Sequence, residues 1–191
     1  GSVNIAVTTG GGTGTLINGF TYVAAPIISQ VSPTIGTVSG GTNITLTGSH
    51  FTNASSVTLD GISVTNLVVV NDTTITANTP SHIAGSVDVI VTTPGGSATL
   101  VGGYTYAGAP TLSNVSPAIG NTTGGDTVTL TGTNLAFATN VTFGGIAATN
   151  INIVNNTTVT VTTPANAAGL VNVVITTPVS SATLTNGFTY A

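Results

Sequence analysis

A chain of 191 residues with no Lys or Arg, four acidic residues and two His carries a formal charge of −4, and only 2% of its residues are charged. It has no electrostatic hold on phosphate, so DNA, RNA and anionic lipid are poor partners, and no side-chain salt bridge is expected. Without cysteine it has no disulfide framework, no thiolate nucleophile and no thiol metal site, and no run of about 18 apolar residues is present to cross a membrane as a helix.

Forty per cent of the residues are apolar but only 5% are aromatic, and the balance is rich in Thr, Gly, Asn and Ser. Thr and Val suit half-buried strands, while Gly and Asn suit turns, so the composition predicts an all-β protein with no helices. In chain order, Val3, Ile5 and Val7 alternate with polar or small residues, Gly10 to Gly12 turn the chain, and Thr15 to Tyr22 returns as a second strand. Ile27 to Val31, after Pro26, reads as strand A, and Asn43 to Thr47 as strand B, with turns at Gly36 and Gly40-Gly41 between them. Val57 to Leu59 is strand C, and Asp60-Gly61 turns it into Ile62 to Val64. Leu67 to Val70 and Thr73 to Ala77 flank Asn71-Asp72 as strands D and E. Ser86 to Thr92 is strand F, and Ala98 to Tyr106 is strand G beyond the Pro94-Gly95-Gly96 turn.

The same elements then return. VSPTIGTVSGGTNITLTGSHF, from Val31 to Phe51, reappears from Val115 to Leu135 as VSPAIGNTTGGDTVTLTGTNL, and the shift of 84 residues holds without a gap from Pro26/Pro110 to Tyr106/Tyr190. Residues 25–108 and 109–191 are therefore two complete repeats. Shifted the other way, Gly1 falls on Gly85 and Tyr22 on Tyr106. Residues 1–24 are accordingly expected to be strands F and G of a preceding, incomplete repeat, and the chain a segment of something longer. Only Ala107 and Gly108 separate Tyr106 from Ala109, a link short enough to predict a semi-rigid rod. Seven short strands per repeat, evenly spaced and without helical periodicity, predict tandem immunoglobulin-like β-sandwiches.

The series Ser32-Pro33, Gly36, Gly40-Gly41, Leu46-Thr47-Gly48 and Phe51, followed by Gly61, Thr79-Pro80, Gly85 and Thr93-Pro94-Gly95-Gly96, resembles the IPT/TIG family of immunoglobulin-like domains in both repeats. The resemblance implies an early-set sandwich without a core disulfide. The family supplies spacer or accessory domains to bacterial surface proteins, receptor ectodomains and some carbohydrate enzymes, and forms part of the DNA-binding regions of some transcription factors; for this chain, which has no basic residue, an extracellular or cell-surface module is expected. Family membership leaves function open.

The titratable side chains other than tyrosine are Asp60, Asp72, Asp88, Asp126, His50 and His82, and none recurs as the same residue 84 positions away. A repeat-type calcium site would need its ligands in both copies, and a hydrolytic site would have to be built from Asp60 with His50 or Asp88 with His82, which no sequence context marks. No metal, cofactor or catalysis is expected; these residues read as solvated turns. Thr-x-Thr runs such as Thr158 to Thr162 read as the water-facing side of strands. The Asn-x-Ser/Thr sequons are near the number chance gives in so Ser/Thr-rich a chain. The aromatic at 20/104/188 is expected to pack inward and the Tyr at 22/106/190 to cover the joint with the next domain.

The functional expectation is a non-catalytic structural segment, a stalk or filament body whose partners are neighbouring repeats or subunits. An adhesin segment that binds glycan or a surface protein through loops at one end of the sandwich is the alternative, and an accessory module of a secreted glycan-active enzyme is a second. The loops Ser49 to Ser56 and Pro80 to Gly85 vary most between copies, which makes His50, Asn53, Ser81 and His82, with Asn134 and Asn166 in the second repeat, the candidate binding residues.

Overall fold

The computed structural model describes residues 1–191 and contains strands and turns but no helix. A hairpin comes first, β1 (Ser2–Thr9) with β2 (Gly12–Thr21). The first repeat supplies β3 (Ile27–Ser32), β4 (Ile35–Thr37), β5 (Asn43–Ser49), β6 (Ser56–Leu59), β7 (Ile62–Ser63), β8 (Thr65–Asn71), β9 (Thr74–Asn78), β10 (Gly85–Thr93) and β11 (Gly96–Ala107). The second repeats the series as β12 (Thr111–Ser116), β13 (Ile119–Gly120), β14 (Thr127–Thr133), β15 (Asn140–Phe143), β16 (Ile146–Ala147), β17 (Thr149–Asn155), β18 (Thr158–Thr162), β19 (Gly169–Thr176) and β20 (Ser181–Tyr190). Two compact units account for the chain: Gly1–Thr34 with Ser39–Thr105, and Ile35–Val38 with Tyr106–Ala191.

Each repeat is a sandwich of two sheets with the same topology, ordered β3-β5-β9-β8 and β4-β11-β10-β6-β7 in the first and β12-β14-β18-β17 and β13-β20-β19-β15-β16 in the second. The period-2 alternation of the sequence becomes the inside and outside of these sheets. Ile44 and Leu46 of β5, Val57 and Leu59 of β6, Ile75 and Ala77 of β9, and Val89 and Val91 of β10 are all buried. In the second repeat Val128, Leu130, Val141, Phe143, Val159, Val161, Val173 and Ile175 occupy the equivalent places and form one apolar cluster with Phe188 and Tyr190. Each such side chain contributes roughly 1.5–3 kcal/mol on leaving water, which suits a sandwich that has no disulfide to hold it.

The Thr-Gly that closes strand B in both repeats has a packing cause. β3 bulges between Ile28 and Gln30 opposite Gly48, and β12 between Leu112 and Asn114 opposite Gly132. A Cβ on Gly48 would collide with the Ile27 carbonyl, and one on Gly132 with the Thr111 carbonyl. Only glycine lets the bulged strand approach so closely.

Two expectations need correction. The stretch after Ser-Pro, read as turns, contains a further short strand: β13 pairs in parallel with β20 through Ile119↔Thr189 and Gly120↔Tyr190. Matching bonds run from Thr105 N to the Thr34 carbonyl (2.8 Å) and from Val38 N to the Ala107 carbonyl (3.2 Å). A strand of two or three residues is too short to show periodicity, and Gly36 and Gly120 masked it further. The second correction concerns Tyr190, which is buried in the core of its own sandwich (1% exposed) instead of being held out to cover a joint. Tyr190 stacks edge-on against Phe188 at 5.0 Å and donates its hydroxyl to the Pro164 carbonyl at 2.8 Å, tying the last strand to the loop after β18. Burial, and then the negative charge of Asp126, raises its phenol above the ordinary value.

Candidate functional site

The polar positions singled out in the sequence divide between two ends of the sandwich. At one end, the loop after β5 meets the β8–β9 turn and the β10–β11 turn: Phe51 N donates to the Asp72 carbonyl (2.9 Å) and Ser55 N to the Thr92 carbonyl (2.9 Å). At the other end, the loop after β9 meets the turn before β5, with Gly41 N on the Thr79 carbonyl (2.8 Å) and Thr42 N on Thr79 Oγ1 (3.2 Å). His50 and Asn53 lie at the first end, Ser81 and His82 at the second, and in the other repeat Asn134 and Asn166 are divided the same way. The expectation of one binding surface made from both loops is therefore corrected. Strand order forbids it, because β5 and β9 are antiparallel neighbours, so the segments leaving their C-terminal ends lie a strand length apart.

At the first end Asp72 organises the loop. Its carboxylate accepts from Thr52 Oγ1 (2.7 Å), Thr52 N (3.2 Å) and His50 N (3.2 Å). The Thr52 hydroxyl above all, then the Thr52 and His50 amides, hold this carboxyl below its ordinary value of 3.8. His50 and Asn53 both sit at positive φ (58° and 61°), a conformation that Asn and His tolerate better than most residues. The His50 ring stays 3.8 Å from Asp72 Oδ2 with half of its side chain in solvent. In the second repeat Asn156 replaces Asp72 and its Oδ1 accepts from Ala136 N (3.4 Å). Asn134, at φ 56°, donates to the Ala109 carbonyl (2.8 Å).

At the second end His82 Nε2 lies 3.2 Å from Asp60 Oδ2 and His82 Nδ1 2.8 Å from the Ile83 carbonyl. The expectation that no side-chain salt bridge forms thus meets two close His–Asp approaches, which are ion pairs only when the imidazole is protonated. The fold also re-pairs the residues, since Asp60 meets His82 and Asp72 meets His50. Nowhere do three His, Cys, Asp or Glu side chains gather. Asn166, the counterpart of His82, donates to the Phe143 carbonyl (3.2 Å) and accepts from Ala167 N (2.8 Å).

A third recurrent group was hidden in the sequence because its residue type changes. Asn4, Asp88 and Asn172 each accept, through a side-chain oxygen, the amide of the residue that bulges from the facing strand: Asn18 (2.8 Å), Gly102 (2.8 Å) and Asn186 (2.9 Å). The residues at 18, 102 and 186 all have positive φ, 54°, 60° and 53°. Asp and Asn differ in charge but share the acceptor oxygen, so treating them as one class at the 84-residue spacing reveals the device. Asp126 is similarly occupied, accepting Asn121 N (2.7 Å) and Asn121 Nδ2 (3.1 Å). The open groove of about 550 Å³ beside Gly144-Gly145, lined by Thr142, Leu170, Asn172 and Asn186 among others, offers amides and a hydroxyl but no titratable group.

The IPT/TIG domain profile matches residues 26–107 and again residues 110–190. The chain belongs to the IPT/TIG family. Among curated IPT/TIG relatives, human fibrocystin-L is 33% identical over 117 residues, which is 60% of this chain and 3% of that protein. Human plexin-C1 is 29% identical over 136 residues, 66% of this chain and 8% of that one. The 191 residues thus span a small fraction of the proteins they match. Of solved structures, the full extracellular region of plexin A4 superposes on 87% of this chain and 18% of its own with a TM-score of 0.50 at 22% identity, a likeness of fold. The tandem sandwich architecture and the family agree.

Proposed function

We propose that these IPT/TIG repeats are a non-catalytic structural segment of a larger extracellular or cell-surface protein, acting as a stalk that transmits tension between what lies on either side. The observation that carries this reading is the position of the terminal strands in each sandwich. In the second repeat Ala109 is held by Asn134 at the end where β14 finishes, while Tyr190 is anchored to Pro164 at the end where β18 finishes. The chain thus enters and leaves one repeat at opposite ends. Traction applied at those points runs along the strands, and the parallel β13–β20 bonds, Thr189 N to Ala118 O (2.9 Å) and Ala191 N to Gly120 O (3.0 Å), then share it in shear instead of opening one at a time.

The recurrent polar group supports the same reading, since Asn4, Asp88 and Asn172 serve a bulge of their own strand pair. The two-residue link favours transmission over loose tethering, and the extracellular setting rests on the family's use of this module. A glycan array and a panel of surface proteins, probed with the 191-residue chain and with a His50→Ala/His82→Ala variant, test the proposal. No saturable binding is expected from either. Binding that is saturable and lost in the variant overturns the stalk reading in favour of adhesion through the loops.

A further inference from the structure

The β1–β2 hairpin is finished in every respect but one. It carries the bulge between Val3 and Ile5 that β19 carries between Val171 and Val173. It also carries the Asn4 bond to the bulged amide and an edge-on aromatic pair, Phe20 with Tyr22 at 5.0 Å and 77°, matching Phe188 with Tyr190 at 5.0 Å and 72°. Yet Val3, Ile5, Phe20 and Tyr22 are 41%, 43%, 52% and 66% exposed, whereas their counterparts Val87, Val89, Tyr104 and Tyr106 are 5%, 0%, 0% and 1% exposed. A two-stranded ribbon is marginal in water by itself, and leaving so many large apolar groups wet gives up roughly 1.5–3 kcal/mol apiece.

We propose that the hairpin is the F–G edge of a third sandwich, and that its open face takes the A–E segment of a further repeat, patterned like residues 25–84 and leading into Gly1 by the same short loop that joins Asn78 to Gly85. The occupant is specified by what completes the equivalent strands in the first repeat: the inward Ile44 and Leu46 of β5 and Ile75 of β9 cover their face from the opposite sheet, and β6, with Val57 and Leu59, extends their own sheet at the β10 edge, all five side chains being fully buried or nearly so. A second copy of the 191 residues is a poorer fit, since both of its A–E segments already cover their own F and G strands. Charge raises no obstacle, because residues 2–24 hold no ionisable side chain except Tyr22. The mechanical role of the complete repeats stands or falls separately.

The test compares amide hydrogen exchange in the 191-residue chain with that in two extended proteins. One places residues 25–84 ahead of Gly1, so that an Ala84–Gly1 bond reproduces Ala84–Gly85; the other places residues 109–168 there, so that Ala168–Gly1 reproduces Ala168–Gly169. Exchange of the β1 and β2 amides is expected to slow by at least about a hundredfold in at least one extended protein, with the β10 and β19 amides reporting that the existing repeats are intact. Ile5→Ser is expected to reverse most of that slowing while leaving the unextended chain unchanged. Failure of both extensions to slow exchange overturns the proposal. So does concentration-dependent protection of the hairpin in the unextended chain, which would make a second copy the occupant.

Discussion

Gly40 and Gly41 look interchangeable in sequence, but the structure predicts that they differ in what an added methyl group costs. Both have positive φ, 73° and 77°, so alanine at either position incurs about 1–2 kcal/mol of left-handed strain. A Cβ on Gly41 would meet nothing within 4 Å, whereas one on Gly40 would lie 2.5 Å from the Pro80 carbonyl carbon and oxygen and 2.6 Å from Ser81 N. Those atoms are backbone and have no rotamer in which to retreat. To relieve the clash the loop must move, and with it the bonds from Gly41 N and Thr42 N to Thr79, which are worth about 1 kcal/mol each. Gly40→Ala should therefore destabilise the first repeat by about 3–4 kcal/mol and Gly41→Ala by about 1–2 kcal/mol. Urea unfolding followed by a probe specific to each repeat measures both. Gly124 faces Pro164 and Ala165 in the same way, while Gly125 is open, so the second repeat supplies an internal replicate. Equal losses for Gly40→Ala and Gly41→Ala would refute the contact reasoning.

Replacing Asp88 separates charge from hydrogen bonding: Asp88→Asn should leave stability within about 0.5 kcal/mol, because Asn172 performs the same task, whereas Asp88→Ala should cost about 1 kcal/mol in the same unfolding assay. Asp72, with its folded pKa below the ordinary 3.8, adds stability that is complete above the unfolded value and disappears as pH falls through the folded one. An Asp72→Asn variant should accordingly lose part of the acid limb of the stability profile, and superimposable limbs would count against this assignment. Tyr190→Phe removes the bond to Pro164 and should cost roughly 0.5–1.5 kcal/mol. Because the folded phenol titrates above its ordinary 10, the neutral form's advantage holds below pH 10 and is lost only as pH rises through the folded value, a dependence that the variant should lack.

Much of the fold was legible because its elements obey the simplest period. Ile44 with Leu46, Val87 with Val89 and Val91, and their counterparts 84 residues on alternate strictly, and they are the residues the two sheets enclose. The β4 and β13 strands escaped notice because two or three residues cannot display a period, and their pairing with the last strand is a long-range choice. The candidate loops were recognisable as variable but not as separated, since their placement depends on which way β5 and β9 run. The bulge acceptors at 4, 88 and 172 were obscured by the exchange of Asp for Asn. Tyr190 was misplaced because a terminal aromatic looks equally suited to a joint or a core, and the decisive fact, a carbonyl of Pro164 within reach of its hydroxyl, is tertiary.

The most direct measurement of the stalk proposal is single-molecule force spectroscopy on the 191-residue chain, held at its two ends and extended at constant speed. The two complete repeats contain 84 and 83 residues, and at 3.3–3.6 Å per residue a repeat that unfolds as a unit releases about 270–300 Å of contour before its folded length is subtracted. The expected record shows two such steps, each at a distinct force peak, because the terminal strands of each sandwich are loaded in shear. A smooth extension without peaks, or release in many small increments at negligible force, would contradict the claim that these repeats exist to carry tension.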